Sequence, residues 1–322
     1  REQGGLIVGL HDVSLSTDWQ TFPQALSNWS APAQHVVYAD VEGNIGLQVP
    51  GLIPVRAEGH LGTLPIAVTS DAQDWRGFIP YDELPRVYNP ERNYIQSANQ
   101  LTSPPAYFEQ LKVNLAESFG EDINVMYQNT WAEGYRGRRI DELLQELAPH
   151  SESTFKQILG DNYDRTAEKI LPLLADMTFE DAHVNSLRDW LLAWDYQMSA
   201  NSGEAALYGV FWHTLVATIQ QNQLSDADMS LSTYAVVTLT EDADNPWWDD
   251  ASTEVIETMN DTLQMAFVKA YDRAVELLGE DEMEWRWGML QQAKFASNPL
   301  GLSGIETLED IVNRSVSIGG CP

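Results

Sequence analysis

The sequence predicts an α+β protein in which strands come first and helices follow. Three observations carry that reading. Residues 36–49 read as a hairpin, Pro and Gly punctuate residues 50–85 too closely for helices, and apolar residues beyond Pro105 recur at spacings of three and four.

Val36-Val37-Tyr38-Ala39-Asp40 is a β-type run, Glu42-Gly43-Asn44 a turn with Gly supplying positive φ, and Ile45-Gly46-Leu47-Gln48-Val49 the return strand. Pro50-Gly51, Pro54, Gly59 and Gly62 are then expected to break any regular element. Residues 75–85 read as an ordered loop dense in Pro and aromatics. Tyr94-Ile95-Gln96-Ser97-Ala98 is expected as a short strand carrying Asn99 at its end. Strands and ordered loops thus account for about residues 1–100.

Pro105 opens the helical region, because a proline in the first turn lacks only an N–H that would have no partner there. Ile140, Leu143, Leu144 and Leu147 share one face, and Thr178-Phe179-Glu180-Asp181 forms a capping arrangement ahead of Leu187, Trp190, Leu191 and Trp194. A broad apolar stripe runs through Ala205, Leu207, Val210, Phe211, Leu215 and Ile219. The clearest helix spans residues 253–278 on Ile256, Met259, Leu263, Phe267, Ala270, Ala274 and Leu278, with Ser252 capping its start and Gly279 ending it. From Glu284 the pattern is shorter and more irregular. With no internal repeat or linker, residues 1–322 are expected as one continuous unit, mainly helical from about 101.

Forty-eight acidic residues against 18 basic ones give a formal charge of −30. Such a surface repels phosphates, which excludes nucleic acid and anionic membrane surfaces as partners and fits a well-solvated protein. A saline habitat or a metal site would leave the same signature. No apolar run is long enough to span a bilayer, so no membrane insertion is expected. Arg1-Glu2-Gln3-Gly4-Gly5 has neither an initiator Met nor a signal-peptide pattern, which suggests a start at a processing point or an artificial boundary. The single cysteine, Cys321, excludes an internal disulfide, and Gly319-Gly320-Cys321-Pro322 offers a catalytic thiol neither a base nor a rigid setting. His11, His35, His60, His150, His183 and His213 make no i, i+4 pair, so no zinc site is expected.

A side-chain amide such as that of Asn99 can donate to a developing oxyanion; the plainer alternative is a polar residue satisfying a turn. Asp249 and Asp250 suggest calcium, but negative charge just ahead of a helix is the simpler account. The acids of Asp281-Glu282 and Glu241-Asp242 are adjacent in sequence and seldom face one another as a glycosidase pair would, so they read as solvated turns.

Three motif groups occur in order. The first runs through Tyr38-Ala39-Asp40, Gly43-Asn44-Ile45-Gly46, Ile53-Pro54-Val55-Arg56, Gly59, Asp74-Trp75-Arg76-Gly77, Ile79-Pro80, Glu83-Leu84-Pro85, Asn89-Pro90 and Ala98-Asn99. The second is Trp131 with Tyr135-Arg136-Gly137-Arg138-Arg139-Ile140 and Leu143-Leu144. The third is Trp247-Trp248-Asp249-Asp250, Glu257-Thr258 and Trp285-Arg286-Trp287-Gly288. Together they resemble the penicillin acylase family of N-terminal nucleophile hydrolases over nearly the whole chain.

That resemblance implies part of a four-layer αββα fold and amide cleavage by the first residue of a β chain, usually serine, with its α-amine as base. It places Asn99 in the oxyanion hole, with Gln100 where the family has a second Asn, and Arg136 as electrostatic support holding the Asn99 carbonyl. Arg138 and Arg139 are read as surface ion pairs. The nucleophile is then expected upstream of Arg1, since Ser14, Ser16 and Ser27 are internal and carry no free amine. The chain would be a β-chain segment truncated at both ends and inactive alone. Its implied partners are the α chain, the remaining β-chain segments and a small-molecule N-acyl amide. No cofactor is required; structural calcium is possible in the intact enzyme, mostly on ligands outside this chain. The family acts on β-lactam side-chain amides, aculeacin-like lipopeptides and acyl-homoserine lactones, and implies an extracytoplasmic location. The rival reading is a non-catalytic structural or binding module reusing the scaffold.

Overall fold

The computed structural model describes residues 5–67, 69–101, 103–125, 131–224 and 231–320. Arg1 and Cys321, both weighed above, lie outside the described residues. The chain is α+β and falls into two units, Arg1–Ala148 and Pro149–Pro322.

In the first unit two helices precede the first strand, α1 (Gly5–Leu15) and α2 (Thr21–Leu26). This corrects the expectation of strands and turns throughout residues 1–100. The cause is local: Asp18 Oδ1 accepts the Thr21 amide at 2.8 Å, and Phe22 and Leu26, four residues apart, bury one face of α2.

The hairpin forms as expected. β1 (Val36–Ala39) pairs antiparallel with β2 (Ile45–Gln48), and β5 (Arg86–Tyr88) adds to the far edge of β2. Asp40 builds the turn. Its Oδ1 accepts the amides of Glu42 and Asn44 at 3.0 and 2.9 Å, and its Oδ2 accepts Asn44 Nδ2 at 2.8 Å and the Tyr38 hydroxyl at 2.9 Å. Asn89 carries the network to the sheet edge, accepting from Ile45 N at 2.9 Å and donating to Asn44 Oδ1 at 2.8 Å. Gly46 is bare because the Trp19 ring lies over it, stacked on Tyr88 at 4.9 Å.

Pro54 does not break the chain as expected but opens β3 (Pro54–Ala57), where a strand's first residue tolerates a missing donor. β3 lies between β4 (Gly77–Phe78) and β6 (Ile123–Asn124). Val55, Ile79 and Ile123 pack with Phe108, Leu111 and Leu115 of α3 (Pro105–Phe119), with Pro105 in its first turn. The unit ends in α4 (Tyr135–Glu146), which buries Gly137, Leu143 and Leu144.

The second unit is mainly helical: α5 (Glu152–Gly160), α6 (Arg165–Ile170), α7 (Ala182–Leu192), α8 (Gly203–Leu224), α9 (Thr233–Leu239) and α10 (Met259–Leu278). Within the expected capping stretch Asp181 is the residue that caps α7, accepting His183 N at 2.7 Å. α8 is buried without interruption from Ala205 to Trp212, as befits a central helix. α10 packs along it, Phe267 meeting Phe211 at 5.4 Å. Trp248, Trp285 and Trp287 are buried anchors. α11 (Trp287–Leu290), β7 (Gln292–Phe295), α12 (Glu306–Val312) and β8 (Arg314–Ser317) close the chain, with β7 and β8 paired antiparallel.

Two expectations around α10 are corrected. It starts at Met259, not near residue 253, and its cap is Thr258 rather than Ser252. Thr258 and Asp261 form a reciprocal capping box, while the preceding loop closes on itself: Asp249 Oδ1 accepts Glu257 N, and Glu257 Oε2 accepts Asp250 N, both at 3.0 Å. Ile256 is therefore left 82% exposed. Asp249 and Asp250 hold loop amides and do not sit at a helix N-terminus. Among the described residues no helix is long and apolar enough to cross a membrane.

Two predictions follow from this packing. A Cβ at Gly209 would enter the Trp287 ring, and that ring is pinned by Nε1 donating to Gly320 O at 2.9 Å. Gly209→Ala should therefore be a net loss, an overpacking cost of about 1–3 kcal/mol outweighing a helix-propensity gain of about 1 kcal/mol, read as a lower urea midpoint. Hydrogen bonding, first from the Asn44 side chain, holds the Asp40 carboxyl below its ordinary 3.8. A depressed folded value gives stability that is complete above 3.8 and lost as pH falls through the folded value. The stability difference between wild type and Asp40→Asn should be flat above 3.8 and shrink below it; a difference independent of pH would contradict this.

Candidate active-site segment

Residues 94–97 have no regular secondary structure and Ala98 lies in a bend, which corrects the expected strand. Left-handed backbone brackets the segment at Asn93 (φ +55°) and Asn99 (φ +63°), a conformation that Asn tolerates better than most residues. Side chains then lay it along α4. The Tyr94 hydroxyl donates to Asp141 Oδ1 at 2.6 Å and accepts from Gln145 Nε2 at 3.2 Å. Burial, and then the Asp141 carboxylate, push that hydroxyl above its ordinary range.

α4 starts after Gly134, left-handed at φ +90°, and this places Arg136 in its first turn. Arg136 Nη2 donates to Asn99 Oδ1 at 2.6 Å and to Ala98 O at 2.8 Å. The structure thus brings together the two site residues singled out in the sequence. A guanidinium has donors only, so the Asn99 atom facing it must be the carbonyl oxygen. The Asn99 amide nitrogen then points away, and among the described residues it meets no acceptor. Both residues are exposed, so this donor faces open space. Arg139 is ion-paired with Glu142 at 3.8 Å, as expected for a surface arginine.

Further residues grip the segment. Ala132 N donates to Asn99 O at 2.9 Å. Gln100 Oε1 accepts Ala98 N at 2.6 Å, and its Nε2 donates to Gln96 Oε1 at 3.1 Å. The residue departing from the doubled-Asn pattern therefore has a structural task here. Gly137 leaves room for it: a Cβ there would stand 3.0 Å from Gln100 Cδ. A glycine in the first turn of an otherwise good helix former is the one sequence signal that pointed to this close approach. His35 Nδ1 lies 2.6 Å from Ser97 Oγ, and its ring faces Trp131 at 6.4 Å and 8°. Burial lowers the His35 pKa below the ordinary histidine value.

Chemically, the segment presents an amide N–H pair whose own oxygen is anchored by a cation. The described residues hold no group of three or more His, Cys, Asp or Glu placed to bind an ion. Asp249 Oδ1 accepts Glu257 N, and Asp250 Oδ1 accepts Ser252 N and Oγ at 2.9 and 2.6 Å, so these oxygens order the loop ahead of α10. Glu282 is more than a solvated turn residue, since His183 Nε2 lies 2.7 Å from it.

Arg136→Met keeps an apolar stem but removes both donors. The expected cost is about 1–2 kcal/mol by urea denaturation, the site being exposed, with NMR shifts concentrated at Ala98 and Asn99. Unchanged shifts there would contradict the anchoring role.

The Penicillin amidase family profile matches residues 4–322. Acyl-homoserine lactone acylase QuiP of Pseudomonas syringae pv. tomato is 31% identical over 89% of this chain and 35% of its own length. QuiP of Pseudomonas aeruginosa is 27% identical over 90% of this chain and 35% of its own length. Penicillin G acylase of Escherichia coli is 35% identical over 45% of this chain and 15% of its own length. The chain spans about a third of the length of the lactone acylases it matches, the covered share being 35%. With the profile match running from residue 4 to residue 322, the chain belongs to the penicillin amidase family.

Proposed function

We propose that this chain contributes half of an oxyanion hole to an acylase that hydrolyses the carbon–nitrogen bond of an N-acyl amide. The supporting observation is Arg136 Nη2 on Asn99 Oδ1 at 2.6 Å, which turns the Asn99 amide outward as a fixed donor. The cation also withdraws electron density from the amide carbonyl, and hydrogen bonds linked in this way polarise one another. The donor is then set for a charge that develops only as the tetrahedral intermediate forms.

In this reading the attacking hydroxyl belongs to an N-terminal serine at the start of the mature β chain. Its α-amine, near pH 7.7–8.0 when unperturbed, is basic enough to take the proton at about neutral pH. The α chain and the remaining β-chain segments complete the site, and the whole enzyme works outside the cytoplasm. The substrate is an N-acyl compound of the class named by the relatives, an acyl-homoserine lactone or a penicillin.

The test is steady-state kinetics of the full-length enzyme on chromogenic anilides carrying phenylacetyl to long-chain acyl groups. Asn99→Ala should lower kcat about 100- to 1,000-fold, or roughly 3–4 kcal/mol, with KM little changed. An unaltered kcat would sink the assignment. Turnover by the chain alone would show that it carries its own nucleophile.

A further inference from the structure

We infer that His35 is a positioning residue for the Asn99 amide, acting through Ser97 and Trp131. The inference rests on Asn99 being an oxyanion donor. The other grips on the segment come from within it or from the C-terminal side: Gln100 on Ala98, Ala132 on Asn99, Arg136 at the start of α4, and Asp141 and Gln145 on Tyr94. His35 comes from elsewhere, 62 residues away from Ser97 and immediately ahead of β1.

Its two contacts fall on the two backbone stretches that hold Asn99. One is the hydrogen bond of Nδ1 with Ser97 Oγ at 2.6 Å, two residues before Asn99. The other is the parallel approach to Trp131, ring centroids 6.4 Å apart, and Trp131 directly precedes the Ala132 amide that holds Asn99 O. A single imidazole fixed to the start of a strand therefore spans both sides of the left-handed Asn99 turn. Arg136 sets which way the amide faces, and the His35 contacts add a hold from the N-terminal side of β1. Such placement matters because small misalignments of a catalytic group are costly.

A close Ser–His contact beside an oxyanion donor also invites a second role, Ser97 as nucleophile with His35 as its base. The geometry speaks against it. Among the described residues no carboxylate orients the other imidazole nitrogen, the third member that such a pair needs.

The experiment uses the full-length enzyme and the same anilide series, with Ser97→Ala, His35→Ala, His35→Asn and Asn99→Ala. Ser97→Ala leaves both rings in place and so guards against a folding failure in His35→Ala. Ser97→Ala and His35→Ala should each lower kcat about tenfold or more at nearly constant KM, and the double variant should lose no more than His35→Ala alone. His35→Asn, which can still bond Ser97, should recover part of the loss. In the Asn99→Ala background neither change should cost anything further. Additive losses there would overturn the inference, as would complete loss of turnover in Ser97→Ala, which would make Ser97 the nucleophile. If Asn99→Ala alone leaves kcat intact, the oxyanion reading itself fails, an outcome distinct from additivity.

Discussion

One nitrogen of Arg136 holds two oxygens of the Asn99 segment, and the candidate site depends on that fork. Without it Asn99 is an exposed polar residue at a turn, free to present either end of its amide. With it the carbonyl is committed to the cation and the N–H groups to open space. A charge-assisted contact of this kind is short and directional, so it fixes orientation even where solvent limits its contribution to stability. The left-handed backbone at Asn99 belongs to the same arrangement, because it aims side chain and preceding carbonyl at one guanidinium.

Much of the ordered motif series has a structural task. Asp40, Asn44 and Asn89 close a hairpin and tie it to β5, Gly46 makes room for Trp19, and Trp248, Trp285 and Trp287 fill the second unit. These residues identify the family because they hold its frame. The proposed chemistry falls on Asn99, an exposed residue whose carbonyl is held by Arg136.

What was legible in the sequence follows the range of the interactions. The hairpin is legible because Asp40 to Asn44 settle it within five residues. The helix ending at Gly279 is legible in its apolar spacing, but its start is not, since the Thr258–Asp261 box outcompetes a periodicity that runs on through Ile256. Residues 94–98 show the limit of strand reading: an irregular stretch stitched by side chains has the composition of a strand without its ladder. α1 carries few local signals, and those of α2, Asp18 ahead of Thr21 with Phe22 and Leu26 four apart, cover only six helical residues. Asn99 and Arg136 stand out only through resemblance to a family, as nothing in a spacing of this length says that the two side chains meet. His35 is less legible still, its partner being 62 residues away and its neighbours in sequence unremarkable.

The central claim is that the Asn99 amide stabilises an oxyanion. It is tested most directly by a crystal structure of the full-length enzyme carrying a phosphonate bound covalently to the nucleophile as a tetrahedral mimic. The account predicts Asn99 Nδ2 at about 2.7–3.1 Å from the phosphonyl oxygen, with Arg136 still on Asn99 Oδ1. An Asn99 amide turned away from that oxygen, or a hole completed by other donors while Asn99 stays in solvent, would contradict it.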